Sequence, residues 1–125
     1  MATQVRDTKQ KQAIRAAFTA ADRPLSPNEA LEFAEKEVSG ISIATVYRNI
    51  VTLVGENWLV PVDLPGESTR YEVAGKQHHH HFQCTTCGKV YEFHGCAIAP
   101  KPKLPRGFRM TSHEFFLYGT CATCR

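Results

Sequence analysis

The chain reads as an α+β protein in two parts: an N-terminal winged helix-turn-helix, then a small C-terminal α/β domain with a four-cysteine zinc site. Three observations predict this. Three segments of helical period are followed by two short β-type segments around a Pro-Gly turn. All five cysteines lie beyond Gln83 and all six histidines beyond Gln77, which confines metal-ligating residue types to the second part. The cysteines fall as Cys84-x-x-Cys87 and Cys121-x-x-Cys124, two matched knuckles of the spacing that closes a tetrahedral zinc site. The expected domains are residues 1–75 and 76–125.

The first helix is expected to be capped by Thr8, with Ile14, Ala17, Phe18 and Ala21 as one apolar stripe and Asp22-Arg23-Pro24 as its end. The second begins at Ser26 as N-cap, with Pro27 at the first helical position and Glu29 three residues after the cap. Ala30, Phe33, Ala34 and Val38 continue one face, and Ser39-Gly40 stops it. The third spans Ser42 to about Asn57, with Val46, Ile50, Leu53 and Val54 inward. Its other face carries Thr45, Arg48, Asn49 and Thr52, a polar set suited to base edges and phosphates. Trp58–Asp63 and Thr69–Val73 read as the two strands of a wing, joined by Leu64-Pro65-Gly66-Glu67-Ser68. The layout places the third helix to enter a major groove.

Ala74–Gln77 is a short hinge. Strands are expected at His81–Cys84 and Lys89–Phe93, either side of the first knuckle, and over Phe108–Gly119 before the second. Pro100, Pro102 and Pro105 forbid a regular helix between them.

Composition narrows the function. A hydrophobic fraction of 42% with 22% charged residues is that of a soluble globular protein. No apolar run reaches the roughly 18 residues of a membrane span, and Met1–Gln12 has no apolar signal core, so a cytoplasmic protein is expected. The net charge of +3 is only mildly basic. Placement says more: Arg6, Lys9, Lys11, Arg15 and Arg23 lie in the first quarter, where they would attract phosphate. A solvated helix face is the plainer reading of such a run.

In a cytosolic protein, paired cysteines indicate metal rather than disulfides. Cys84, Cys87, Cys121 and Cys124 are therefore read as structural zinc ligands. A redox pair lacks the βαβ context that such a motif needs. His78-His79-His80-His81 is the second signal. On a strand, His79 and His81 point one way and His78 and His80 the other, so one run can feed two sites. Glu72, Glu92 and His113 could complete them. Imidazole plus carboxylate suits Fe(II), Mn(II), Zn(II), Ni(II) or Co(II) without selecting among them. A solvent-exposed polar tract is the alternative. Cys96 is unpaired and reads first as a small buried hydrophobe, with redox sensing or ligation as the minority option.

Taken together, Ala44-Thr45-Val46-Tyr47-Arg48-Asn49, Arg70-Tyr71-Glu72, His78 to His81, Cys84-x-x-Cys87-Gly88-Lys89-Val90 and Leu117-Tyr118-Gly119-x-Cys121-x-x-Cys124 resemble the ferric uptake regulator family, in order and spacing from about Thr8 to Cys124. The resemblance implies a homodimer that binds an AT-rich inverted repeat of double-stranded DNA when a regulatory metal is loaded, with the second domain as the dimerisation domain. It implies that Tyr47 and Arg48 lie on the recognition helix, the tyrosine on a base edge or thymine methyl and the arginine on a phosphate. Thr45, Asn49 and Arg15 complete the candidate DNA-contact set. It implies structural zinc on Cys84, Cys87, Cys121 and Cys124, a regulatory divalent metal (Fe(II), Mn(II) or Zn(II)) on Glu72, His79, His81 and Glu92, and a third site on His78, His80 and His113.

The chain departs from the family pattern in three places. Pro24-Leu25 stands where a further regulatory histidine is often found. The acidic ligand of the third site falls near Ala99. Ala97–Pro105 is short and proline-broken where the family usually has a dimerisation helix. The expected function is a metal-responsive DNA-binding regulator, acting as a repressor of metal-uptake or stress genes. The alternatives are a DNA-binding protein with structural zinc alone and a peroxide sensor on the same scaffold. A metallohydrolase using the histidines, with Glu92 as base, has little room for a substrate pocket.

Overall fold

The computed structural model describes residues 2–95 and 102–125, with only the backbone of residues 2–7. Cys96, Ala97, Ala99 and Pro100 lie outside the described residues, as does the side chain of Arg6. The chain divides into two compact units, Met1–Gly75 and Lys76–Arg125. Among the described residues, no helix is long and apolar enough to cross a membrane.

The first unit holds α1 (Ala2–Ala21), α2 (Pro27–Glu35), α3 (Ile43–Gly55), β1 (Leu59–Val62) and β2 (Arg70–Val73). Helix α1 starts well before Thr8, which is an exposed helical residue rather than a cap. Ala2 to Asp7 contain no Gly or Pro, so nothing stops helix propagating through them. Of its expected stripe, Ile14, Ala17 and Phe18 are buried, with Ala13 beside them, and Ala21 is partly buried against the same core. Asp22 closes the helix in the left-handed region at φ 50°, where short polar side chains are tolerated.

Helix α2 begins as its sequence dictates. Glu29 N–H donates to Ser26 Oγ (3.1 Å) and Ser26 N–H donates to Glu29 Oε1 (3.0 Å), a reciprocal capping box with Pro27 at the first turn. It ends at Glu35, short of Val38, which still packs against the core. Ser42 caps α3 by accepting from Thr45 N–H at 3.1 Å. Val46, Ile50 and Leu53 are buried on its inner stripe. At its end Asn57 turns left-handed at φ 61°, and Trp58 N–H donates back to Leu53 O at 2.9 Å, satisfying an end carbonyl that would otherwise lack a partner.

Strands β1 and β2 pair antiparallel, with Val60 opposite Glu72 and Val62 opposite Arg70. A bridge between Leu25 and Tyr71 (2.9 Å in both directions) ties the entry of α2 to the wing. Phe18, Ile14, Leu25, Ile50, Leu53 and Leu59 form the centre of this unit's core.

The second unit holds β3 (His79–Cys84), β4 (Val90–His94) and β5 (Phe116–Gly119). Strand β3 is central, antiparallel to β4 and parallel to β5. The last strand is far shorter than the expected Phe108–Gly119. Its ladder opens at His81↔Phe116, so residues before Phe116 have little of β3 left to pair with. Phe108 is exposed and follows a turn closed by its own N–H on Pro105 O (3.0 Å). No helix occurs among the described residues of this unit.

Candidate metal centres and nucleic-acid interface

The four cysteines meet because β3 and β5 run side by side. Cys84 stands opposite Gly119 in the parallel register, which places the second knuckle beside the first. Thr85 locks the pair: its N–H (2.8 Å) and its hydroxyl (3.1 Å) both donate to Gly119 O. Gly88, at φ 77°, makes the sharp turn of the first knuckle, and its N–H donates to Cys84 O at 2.9 Å. The four sulfurs lie within 4.8 Å of one another.

Cys87 Sγ and Cys121 Sγ are 3.9 Å apart. Two sulfurs about 2.3 Å from one zinc ion at the tetrahedral angle are about 3.8 Å apart, so the donor set fits zinc in type and in size. The local field favours thiolate as well. Cys84 is lowered to about 6, first by the N–H of Cys87 and then by that of Cys121, at 3.5 and 3.3 Å from its sulfur. Cys121 is lowered by the N–H of Cys124. Cys124 is pushed up to about 12, chiefly by its contact with the Cys121 sulfur.

The tetrahistidine run splits between two faces, as a strand's period of two requires. On one face, His78 and His80 meet His113, with ring centroids 4.5 and 4.9 Å from His78. The nitrogens they offer lie within 4.8 Å of one another. His80 is 3% exposed, stacks on Phe115 at 3.9 Å, and its Nε2 has no hydrogen-bond partner. Burial, then the neighbouring histidines, lowers its pKa from 6.5. A neutral, buried imidazole nitrogen with no partner suits a metal ligand.

On the other face, the His79 and His81 rings are 4.9 Å apart, and Glu92 stands directly across from His81 in the ladder. His79 Nδ1 lies 2.8 Å from Gln77 O. A carbonyl can only accept, so Nδ1 carries a proton and Nε2 is the nitrogen turned toward the site. That is the outer hydrogen bond that orients a ligating histidine. His79 Nε2 is 3.6 Å from Glu92 Oε2, and the Glu92 side chain is almost fully buried. Lys76 Nζ lies 2.9 Å from the same oxygen. Sequence reading missed Lys76, for which no motif gives a signal. It also missed His94, which pairs with His79 across the sheet. Glu72 is a buried residue of β2.

Among the candidate DNA contacts, Tyr47 is 50% exposed on α3 and Arg48 is exposed beside it. Val51, one turn further along, is exposed too. Thr45 differs from expectation. It is 8% exposed, because its hydroxyl is held by Ser42 Oγ (3.0 Å) and accepts from Arg48 Nη2 (3.2 Å). Asn49 Nδ2 donates to Thr45 O at 2.9 Å. Thr45 thus positions Arg48 instead of presenting its own hydroxyl. With Gln10 and Thr52 these residues line a polar groove of about 450 Å³. The Arg15 guanidinium sits 4.8 Å over the Trp58 ring, and Arg15 remains exposed.

The Ferric uptake regulator family profile matches residues 2–118. The Ferric uptake regulation protein of Campylobacter jejuni is 31% identical, over 94% of this chain and 78% of its own length. That of Helicobacter pylori is 27% identical, over 97% and 83%. Among solved structures, the Helicobacter pylori ferric uptake regulator, described as having three functional metal binding sites, superposes with a TM-score of 0.64 at 27% identity, covering 93% of this chain and 79% of that one. A zinc-bound manganese uptake regulator, at 24% identity, shares the fold with a TM-score of 0.74 over 90% and 87%. The family is one of metal-responsive transcription regulators and not of enzymes, and this chain belongs to the ferric uptake regulator family.

Proposed function

We propose that the protein is a homodimeric repressor of metal-uptake or stress genes that grips an AT-rich inverted repeat of double-stranded DNA when a regulatory divalent metal is bound. The observation that carries this reading is the geometry around His79: Nδ1 donates to Gln77 O, which turns Nε2 toward the Glu92 carboxylate, 3.6 Å away. Imidazole and carboxylate donors so placed suit a divalent cation.

Cys84, Cys87, Cys121 and Cys124 would hold structural zinc, which converts binding free energy into folding of the second unit. Glu72, His79, His81 and Glu92 would hold Fe(II), Mn(II) or Zn(II), a choice that nitrogen and oxygen donors alone do not make. His78, His80 and His113 would form the third site. Because Glu72 belongs to the first unit and the histidines to the second, ligation by both would hold the two units in one arrangement. That would set the spacing of two recognition helices across the dimer near a helical turn or a multiple of it. Tyr47 would read a base edge or thymine methyl, while Arg48, steadied by Thr45, and Arg15 would contact phosphates.

The test is binding to DNA upstream of the protein's own gene, at fixed salt, after chelation and then with added Mn(II) or Zn(II). A rise of about tenfold or more, about 1.4 kcal/mol of coupling, supports the reading and indicates the metal. Equal affinity with and without added metal, zinc being retained, overturns it. One observation favours a second reading, in which zinc is the only metal. Pro24 and Leu25, which stand at the place of the further histidine, have no donor atom in their side chains, and both are buried. Replacing His79 and His81 together with alanine would then leave DNA affinity unchanged.

A further inference from the structure

We propose that Lys76 is a built-in competitor for the regulatory cation, setting the concentration at which the His79–Glu92 centre fills. The inference rests on the reading of that centre as a metal site. Lys76 Nζ holds the carboxylate oxygen that a bound metal would need.

His79 Nδ1 donates to Gln77 O, which turns Nε2 toward a carboxylate oxygen 3.6 Å away. Two such donors about 2.1 Å from one metal ion at the tetrahedral angle are about 3.4 Å apart, so the separation already suits an ion between them. Lys76 supplies the positive charge in the meantime, with Nζ 2.9 Å from Glu92 Oε2. Glu92 Oε2 is the same atom that His79 approaches.

The pair is not a loose surface contact. The Lys76 side chain is 19% exposed and that of Glu92 7%, so the carboxylate is poorly served by water and depends on its cation. An ion entering the centre must take Glu92 from Lys76, and the ammonium must swing outward on its flexible stem. A monocation bound to one oxygen loses to a dication that also gains imidazole nitrogen. It still costs the incoming ion part of its affinity. The effect is a threshold: the centre stays empty at low metal and fills at a higher concentration than its donors alone would set.

The experiment uses the full chain with its structural zinc retained, titrated with Co(II) and followed by the visible absorption of the bound ion. Lys76→Gln is expected to tighten Co(II) binding by about tenfold or more. Lys76→Arg, which keeps a cation on Glu92, is expected to stay within about threefold of the parent. In a Glu92→Gln background, Lys76→Gln is expected to have no effect, because the two changes act on one contact. Unchanged or weaker Co(II) binding in Lys76→Gln, with the melting transition of the second unit preserved, overturns the inference. So does a tenfold gain that persists without the Glu92 carboxylate. If Lys76→Gln fails to fold, the Arg variant still decides: a tenfold gain in its affinity overturns the competitor role. His79→Ala separates the two levels. If it leaves Co(II) affinity intact, the metal-site reading itself is wrong. If it abolishes binding while Lys76→Gln changes nothing, only the competitor role fails.

Discussion

Stripping zinc from the four-cysteine cluster should unfold the second unit and spare the first. The magnitude follows from how little else holds residues 76–125 together. Among their described residues, the buried apolar side chains are Cys84, Val90 and Cys121, and two of these are the proposed ligands. Burying Val90 contributes about 1.5–3 kcal/mol, and a unit this short seldom stores more than ~3–5 kcal/mol from its core. A tetrathiolate zinc site contributes about 10–16 kcal/mol. Its loss exceeds the rest of the stability, so the expected outcome is complete unfolding, with no partly loosened state. The first unit has its own core of Ile14, Phe18, Leu25, Ile50, Leu53 and Leu59 and should persist. The chain has one tryptophan. It is Trp58, packed against that core, so its fluorescence melt reports the first unit alone. Amide exchange of His79–Cys84 reports the second. After a strong thiol-competing chelator, or in Cys121→Ser, these amides should exchange without protection while the Trp58 transition survives. Persistent protection of β3 in protein confirmed free of zinc would refute the reasoning.

Three further outcomes are expected. Arg48→Ala should weaken DNA binding about equally on all sequences and lower the salt slope by about one, whereas Tyr47→Ala should cost about 1–3 kcal/mol on the preferred operator alone; gel-shift titrations at several salt concentrations separate the two. The lowered His80 pKa has a definite sign: the unfolded chain takes up a proton at its ordinary 6.5 and the folded one does not, so stability present above pH 6.5 is lost as pH falls through the lowered folded value. In zinc-loaded protein, the melting temperature of the second unit should drop below pH 6.5, and His80→Phe should flatten part of that drop; a parallel curve for the variant would count against it. A Cβ at Gly119 would meet Phe82 Cζ at 2.9 Å, so Gly119→Ala should cost about 1–3 kcal/mol, read as an earlier melt of the second unit with that of the first unmoved.

What is legible in the sequence is mostly local. Ser26, Pro27 and Glu29 announce a helix start within four positions, and the capping box follows from them. The apolar stripe Val46, Ile50 and Leu53 marks the inner face of α3 through its spacing alone. The two knuckles identify their partners because each lacks the second half of a tetrahedral site. Most of the differences come from contacts that residue types alone do not announce. The last strand is shorter than expected because aromatic, β-prone residues from Phe108 onward do not reveal where a neighbouring strand stops pairing. Thr45 reads as an open-face residue because its side chain is polar, but its burial comes from a network that begins at Ser42 and ends on Arg48. Lys76 carries no motif, and its meaning arises only when β4 brings Glu92 to it.

Four identical residues in one run nevertheless build two unlike environments. On the His78–His80 side the neighbours are aromatic: Phe115 stacks on His80 at 3.9 Å and Phe93 lies 6.1 Å away. Burial there disfavours the imidazolium and keeps the ring neutral. On the His79–His81 side the neighbours are a carboxylate and an ammonium. A cation arriving there finds a charge to neutralise and a competitor to displace, while one arriving on the other face finds the buried His80 ring and apolar walls. The first side is thus suited to an ion held by imidazole alone and the second to a reversible, concentration-dependent response. The difference comes from β4, Lys76 and residues 113–115, not from the histidines themselves. Exchanging histidines within the run would therefore disturb both centres, whereas Lys76 and Phe115 offer handles that change one face and leave the other intact.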